Sequence, residues 1–244
     1  MKIHVHFPTK NDGRILPYFF KYYDQFVEKY FAYYNINSTD NTLEILKSKS
    51  NVTIIEDNHQ KLDERFLISI KNVEWRKYST IDNCDWVFLV DNDEFLYNLD
   101  LIKLLEEYDK NEIAIPKVEG YQMFNEFFPT EDKQITEIIK KGIPYHPYNK
   151  QVVIKPYVIP NYSYGCHFIS PQGPNIKMND VPEIKMLHYK IFGDEYPQRR
   201  MAINDTLSDF NKATGCGVYS MDPNSPWNPQ KELEKVRLEA KDII

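Results

Sequence analysis

Apolar positions alternate over residues 2–7. Ile3, Val5 and Phe7 share one face and His4 and His6 the other, which is the pattern of a strand. Residues 7–13 follow as a turn. The period then changes. Ile15, Leu16, Phe19, Phe20, Tyr23, Phe26 and Val27 fall at helical spacing and predict a helix within residues 14–28. A second strand is expected over 30–34, a polar turn over 35–40, and a helix over 43–49 led in by Asn41 and Thr42. A third strand over 52–56, a helix over 62–79 and a fourth strand over 86–90 complete the series. This β-α-β-α-β-α-β order argues for an α/β fold with a mostly parallel central sheet flanked by helices.

After residue 96 the pattern is less regular. A helix is expected over 100–108, and strands over 113–116 and 118–124. Residues 128–133 form a charged turn before a short helical patch. Residues 151–155 are strand-like and bounded by Pro156, Pro-rich segments run to about Pro182, and 183–189 read as another strand. Asn228 as cap and Pro229 in the first turn start a helix that runs through 243. No repeat, low-complexity tract or clear linker interrupts the chain. One domain over 1–244 is expected, with a more regular half at 1–98 and an irregular half at 99–244.

The chemistry concentrates where the fourth strand ends. The apolar run from Trp86 to Val90 leads directly into Asp91, Asn92, Asp93 and Glu94. Open α/β sheets bind ligands at this rim. Three neighbouring carboxylates repel one another, and a hard divalent cation with oxygen ligands would compensate them. A period of two puts Asp91 and Asp93 on similar sides, with Glu94 elsewhere as a base or a support for the loop. A polar turn capping the next element explains the same spacing.

Two turns lie on the same expected rim. Pro8, Thr9, Lys10 and Asp12 follow the first strand, and Asn35, Ser38 and Asp40 follow the second. Such positions contact phosphate, ribose or base, although Asx and Ser residues also favour turns for local reasons. No glycine-rich phosphate loop is present. Lys71 and Asn72, on the helix before the acidic strand, could face a pyrophosphate or form a solvated face. His167, near Gly165, and His188 could supply a nitrogen ligand, although a lone histidine is more often structural. For His4 and His6 packing is the expected role.

Composition narrows the partners. The net charge is -6, which argues against a broad nucleic-acid surface. Cys84, Cys166 and Cys216 show neither zinc spacing nor a disulfide framework, which fits reduced thiols in a cytoplasmic setting. Residues 1–7 are too short in apolar length for a signal peptide, and no run reaches a transmembrane span. A lipid substrate would be met from the inner membrane face. The 18 tyrosines suit sugar or base stacking, with core packing the commoner use of such rings.

Several of these pieces resemble one family. Lys10-Asn11-Asp12, Asn37-Ser38-Thr39-Asp40-Asn41-Thr42 and Asp91-Asn92-Asp93-Glu94-Phe95-Leu96 are similar to motifs of bacterial family 2 glycosyltransferases of the GT-A fold. The family patterns are a Lys-Asn-Glu turn, a Gly-Ser-Thr-Asp turn and an Asp-x-Asp-Glu-Phe-Leu strand end. The likeness continues through Leu187-His188-Tyr189-Lys190 and Gly215-Cys216-Gly217-Val218-Tyr219. Asp12 stands where Glu is usual and Asn37 where Gly is common. The resemblance implies a nucleoside-diphosphate-sugar donor, a divalent metal (Mn²⁺ or Mg²⁺), a glycan or lipid-linked acceptor hydroxyl, and inversion at the sugar. It puts Asp93 on the metal and Asp91 nearer the ribose or the metal's waters. His188 is the better match for a completing ligand and His167 the second, with Lys190 in the substrate-binding set. It makes 1–98 the donor half and 99–244 the acceptor half. The base stays open among Glu94, Glu119, Glu126, Glu131 and Asp132. Two rival readings are a nucleotidyltransferase, which wants a glycine-rich basic loop after the first strand, and a non-catalytic binding protein of the same fold, which would tolerate loss of Asp93.

Overall fold

Ile3, Val5 and Phe7 turn into the apolar core in a computed structural model that describes residues 1–244. They belong to β1 (Ile3–Thr9), which pairs in parallel with β2 (Lys29–Asn35) on one side and β4 (Trp86–Leu89) on the other. β3 (Val52–Asp57) extends this sheet beyond β2, also in parallel. The remaining strands are β5 (Glu94–Tyr97), β6 (Val118–Asn125), β7 (Lys141–Pro144), β8 (Val153–Ile154), β9 (Ile184–Phe192) and β10 (Lys241–Asp242). The first sheet has the order β3-β2-β1-β4-β8, with β8 antiparallel at the edge. A second sheet has the order β10-β7-β6-β9-β5 and is antiparallel except for β6 against β9. The acidic residues occupy the short link between β4 and β5, so the chain passes from one sheet to the other at the expected site.

The helices are α1 (Leu16–Tyr23), α2 (Thr42–Lys47), α3 (Glu64–Asn72), α4 (Leu101–Lys110), α5 (Ile135–Ile138), α6 (Glu195–Thr206), α7 (Asp209–Thr214) and α8 (Pro229–Glu239). α1 starts with Pro17 in its first turn and buries Phe19, Phe20, Tyr22 and Tyr23. The Tyr23 hydroxyl donates to the Glu94 carbonyl at 2.9 Å and accepts from the Leu96 amide at 3.0 Å. Tyr22 donates to the Leu96 carbonyl at 2.8 Å. One helix of the first half thereby ties down the first strand of the second sheet. The largest apolar cluster draws on both halves of the chain, from Phe7 and Trp86 to Leu187 and Tyr189.

His4 and His6 lie on the other face of β1 and are buried in packing, as expected. Ser79 Oγ lies 2.8 Å from His4 Nδ1 and 2.7 Å from His6 Nε2. The His6 ring stacks on Phe31 at 4.5 Å.

The structure corrects several expected elements. The helix expected within 14–28 ends at Tyr23, because Glu28 donates to the Ile3 carbonyl at 3.0 Å and draws the chain into the sheet. The helix expected over 62–79 stops at Asn72. Lys71's carbonyl takes the Trp75 indole N–H at 3.2 Å, and a 3-10 turn at Glu74–Lys77 follows. Residues 113–116 are not a strand. Ala114 and Ile115 both donate to the Lys177 carbonyl, at 2.8 and 3.2 Å, and Pro116 has no N–H to offer a ladder. The last helix ends at Glu239, and β10 then pairs with β7. Its start is as expected, with Asn228 Oδ1 accepting from the Gln230 and Lys231 amides at 2.9 and 3.1 Å. β5, β7, β10, α6 and α7 were not anticipated.

Candidate active site

Each carboxylate of the acidic link has its own nitrogen partner. Asp91 Oδ1 lies 3.0 Å from Lys71 Nζ, Glu94 Oε1 2.6 Å from Lys150 Nζ, and Asp93 Oδ1 3.3 Å from His188 Nε2. Strand pairing sets these distances. β8 runs antiparallel to β4 with Phe88 opposite Val153, and continuing that register brings Lys150 level with Asp91. In the second sheet His188 lies opposite Glu94 on one side and Gln122 on the other. The Tyr189 amide donates to the Asp93 carbonyl at 2.8 Å and holds the link against β9.

The three carboxylates differ in access. Glu94 is fully buried, and its second oxygen accepts from the Asp91 amide at 2.9 Å. It braces the turn and offers no free oxygen to a ligand. Lys71 is buried beneath Asp91. Burial opposes both charges of that pair, but Lys71 and Lys150 still hold the Asp91 carboxyl below its usual range. The carboxylates of Asp91 and Glu94 in turn keep the Lys71 ammonium charged. Burial likewise opposes ionisation of Asp93, which His188, Lys190 and Lys150 outweigh, and its carboxyl is held well below the usual range.

His188 is oriented from behind. Its Nδ1 lies 3.3 Å from the Gln122 side-chain amide, and its Nε2 faces Asp93. A ring nitrogen facing a carboxylate oxygen can share with it either a proton or a metal ion. The outward nitrogen fixed by a hydrogen bond to the other is the usual arrangement of a metal-ligating histidine. No group of three or more His, Cys, Asp or Glu side chains gathers here as a complete cage. The donor set therefore fits a metal held by two protein groups and completed by water or substrate oxygens.

Asp91, Asp93, His188, Lys190 and His167 line a cleft of about 540 Å³. Glu64, from the first turn of α3, and Trp227, half exposed, contribute to its walls. His167 Nδ1 donates to the Pro147 carbonyl at 2.6 Å, and burial lowers its pKa. Glu64 Oε1 accepts from the Gly165 amide at 2.8 Å, and burial raises its carboxyl. A smaller pocket of about 290 Å³ meets the cleft at Asp93, Lys190 and Arg200 and includes Asp12.

The two upstream turns bond mainly to each other. Asp12 Oδ2 accepts from Thr9 Oγ1 at 2.9 Å and from the Lys10 amide at 2.8 Å, and the Asp12 amide donates to Thr42 Oγ1 at 2.8 Å. Asp40 accepts from the Gly13 and Thr42 amides at 2.8 and 3.1 Å. A Cβ on Gly13 would stand 2.0 Å from Asn41 Oδ1, so a larger residue there would have to displace the exposed Asn41 side chain. Asn35 is buried and donates to Asp57 Oδ2 at 2.8 Å, while Ser38 Oγ donates to the Asn35 carbonyl at 2.8 Å. Pro8, Thr9, Lys10, Asn35, Ser38 and Asp40 line neither cavity. Asn72 is committed to the backbone of Tyr162 through bonds of 3.2 and 2.7 Å. Of the carboxylates considered as a base, Glu119 accepts from Tyr121 at 2.6 Å and Glu126 pairs with Arg237 at 2.6 Å. Glu131 and Asp132 lie on a separate exposed pocket with Lys21. Sequence reasoning missed Lys150, Gln122, Glu64 and Arg200. Lys150 alone left a trace, as the charged residue just before the strand-like run at 151–155.

No protein-family model matches the chain, and no curated protein matches it. Among solved structures it is similar to S. aureus TarS 1-349, with a TM-score of 0.49 and 12% identity over 84% of this chain and 65% of that one. It is also similar to S. aureus TarS, with a TM-score of 0.47 and 11% identity over 83% of this chain and 39% of that one. TarS 1-349 in complex with UDP-GlcNAc gives a TM-score of 0.42 and 10% identity over 84% and 66%. At TM-scores under 0.5 these likenesses carry neither an activity nor a substrate across to this chain.

Proposed function

We propose that the protein transfers a sugar from a nucleoside-diphosphate sugar to an acceptor hydroxyl, with a divalent cation, Mn²⁺ or Mg²⁺, held by Asp93 and His188. The observation that carries this reading is the Asp93–His188 pair, 3.3 Å apart, at the rim of a parallel sheet and in the wall of the larger cleft. The acidic motif and its resemblance to family 2 glycosyltransferases support the same assignment. The donor would occupy that cleft, with its ribose toward Asp91 and its diphosphate toward Asp93 and Lys190.

Breaking the bond to the anomeric carbon builds negative charge on the departing diphosphate and an oxocarbenium-like sugar. A cation held by Asp93 and His188 would supply Lewis-acid stabilisation of that charge. Lys190 adds a second positive group: it is in no ion pair, and its Nζ donates only to the Tyr148 hydroxyl at 3.2 Å. Lys71 keeps Asp91 ionised and in place, and Lys150 holds the Glu94 side chain at 2.6 Å. Inversion needs a carboxylate to take the acceptor proton. Asp12, whose carboxyl is pushed up to about 6 by burial, lines the smaller pocket beside Asp93 and suits that role. The acceptor class is a glycan or a lipid-linked sugar. No helix is long and apolar enough to cross a membrane, so a lipid-linked acceptor would be met at a membrane surface. The three free thiols suit the cytoplasm.

The test is a thermal-shift screen of UDP-, GDP-, CMP- and dTDP-sugars with and without Mn²⁺. Ligand that binds the folded state raises its apparent stability. One nucleotide class is expected to raise the melting temperature only when metal is present. If none does so, the reading falls.

A further inference from the structure

The smaller pocket carries more positive charge than the chain cancels. Arg14, Lys190, Arg199 and Arg200 line it, against Asp12 and Asp93. Arg14 is paired with Glu195 at 3.1 Å, and Asp93 is matched by His188. The other three cations have no carboxylate. Lys190 donates to the Tyr148 hydroxyl, Arg199 to the Lys190 carbonyl at 2.9 Å, and Arg200 to the Tyr219 hydroxyl. Arg200 Nε is shut off from solvent and has no acceptor at all. A buried donor left unpaired is costly, and a guanidinium is built to answer an oxyanion with two parallel bonds.

A diphosphate in the larger cleft answers only the part of this pocket that the two cavities share. Lys190 and Arg200 border both cavities, but Arg14 and Arg199 border only the smaller one. Resting on the function proposed above, we infer that the smaller pocket is a phosphate subsite for the acceptor, formed by Arg199, Arg200 and Lys190, so that the acceptor substrate carries a phosphate group near its reacting hydroxyl. The phosphate would bind while the donor site is filled, because the two cavities meet only at Asp93, Lys190 and Arg200.

Inorganic phosphate serves as the probe, titrated calorimetrically into the whole protein. One arm has no nucleotide. The other is saturated with Mg²⁺ and the nucleoside diphosphate selected by the thermal-shift screen. The expected result is phosphate binding in both arms, with glycerol giving none. Arg199→Gln should weaken phosphate binding at least 10-fold and leave nucleotide binding unchanged. Arg199 is exposed, so its replacement leaves the core intact. Arg200→Gln, checked for folding by its melt, should weaken phosphate binding as well. Phosphate displaced by the nucleotide would assign these cations to the donor's own diphosphate and overturn the inference. So would unchanged phosphate binding in Arg199→Gln, or no binding to the wild type. If no nucleotide binds, the proposed function fails, and the arm without nucleotide still decides the pocket.

Discussion

Gln122 is the residue on which the geometry of His188 turns. Its side-chain amide meets Nδ1 at 3.3 Å and holds the ring so that Nε2 faces Asp93. Gln122→Leu removes that polar contact and keeps the volume. It should lower Mn²⁺ affinity about 10- to 100-fold, the usual cost of losing an outer partner of a metal-binding histidine. Titration of the metal into wild type and variant measures this. Asp93→Asn removes the charge itself. Transfer should fall at least about 10²-fold, the cost of losing one electrostatic stabiliser, with the melting temperature of the metal-free protein within a few degrees of wild type. A turnover assay and a thermal melt on the same preparation check both halves. Asp91, Asp93 and His188 were legible in the sequence because an acidic run after an apolar strand and a histidine within a short apolar strand are local signals. Gln122 and Lys150 were not legible. Each matters only through the register of strands that lie far apart in the chain.

Among the elements, the antiparallel edge strand β8 has the least conspicuous sequence and a large consequence. It delivers Lys150 to Glu94, where both groups are buried. Lys150→Met leaves Glu94 as a buried charge without its partner and should cost about 3–5 kcal/mol, whereas replacing both residues by apolar ones should recover most of that loss. Urea denaturation of the single variant and of Glu94→Leu with Lys150→Met tests the pair. The first four strands were readable because three βα units keep their periods apart. Of the second sheet only β6 and β9 were. β7 and β10 are short and without alternation, and β5 begins on a carboxylate that points into the core. In α6 only Tyr196 and Pro197 are buried, so no apolar stripe announces a helix. It forms where it packs against α8, a contact with no counterpart in local sequence.

At the scale of the whole molecule, stability depends on two histidines kept neutral. Burial lowers the His4 pKa from 6.5 to about 4 and lowers that of His6 as well. The unfolded chain takes up protons below about pH 6.5 that the folded chain refuses. Stability should therefore be full above that pH and decline as pH falls toward about 4. Urea midpoints at several pH values should show the decline, and a His4→Asn, His6→Asn variant should show a shallower slope. The link between β4 and β5 has a further consequence. Asp93 ends the path of the first sheet, and His188 is a central residue of the second. Cation affinity is thus a gauge of inter-sheet alignment, and it should respond to residues that touch no ligand. Tyr23 lines neither cavity, yet its hydroxyl bridges Glu94 and Leu96 and sets where the second sheet begins. Tyr23→Phe, which deletes one oxygen atom, should weaken Mn²⁺ binding measurably. Tuning by distant core residues is therefore open to this protein without any change in Asp93 or His188, the side chains proposed to hold the cation.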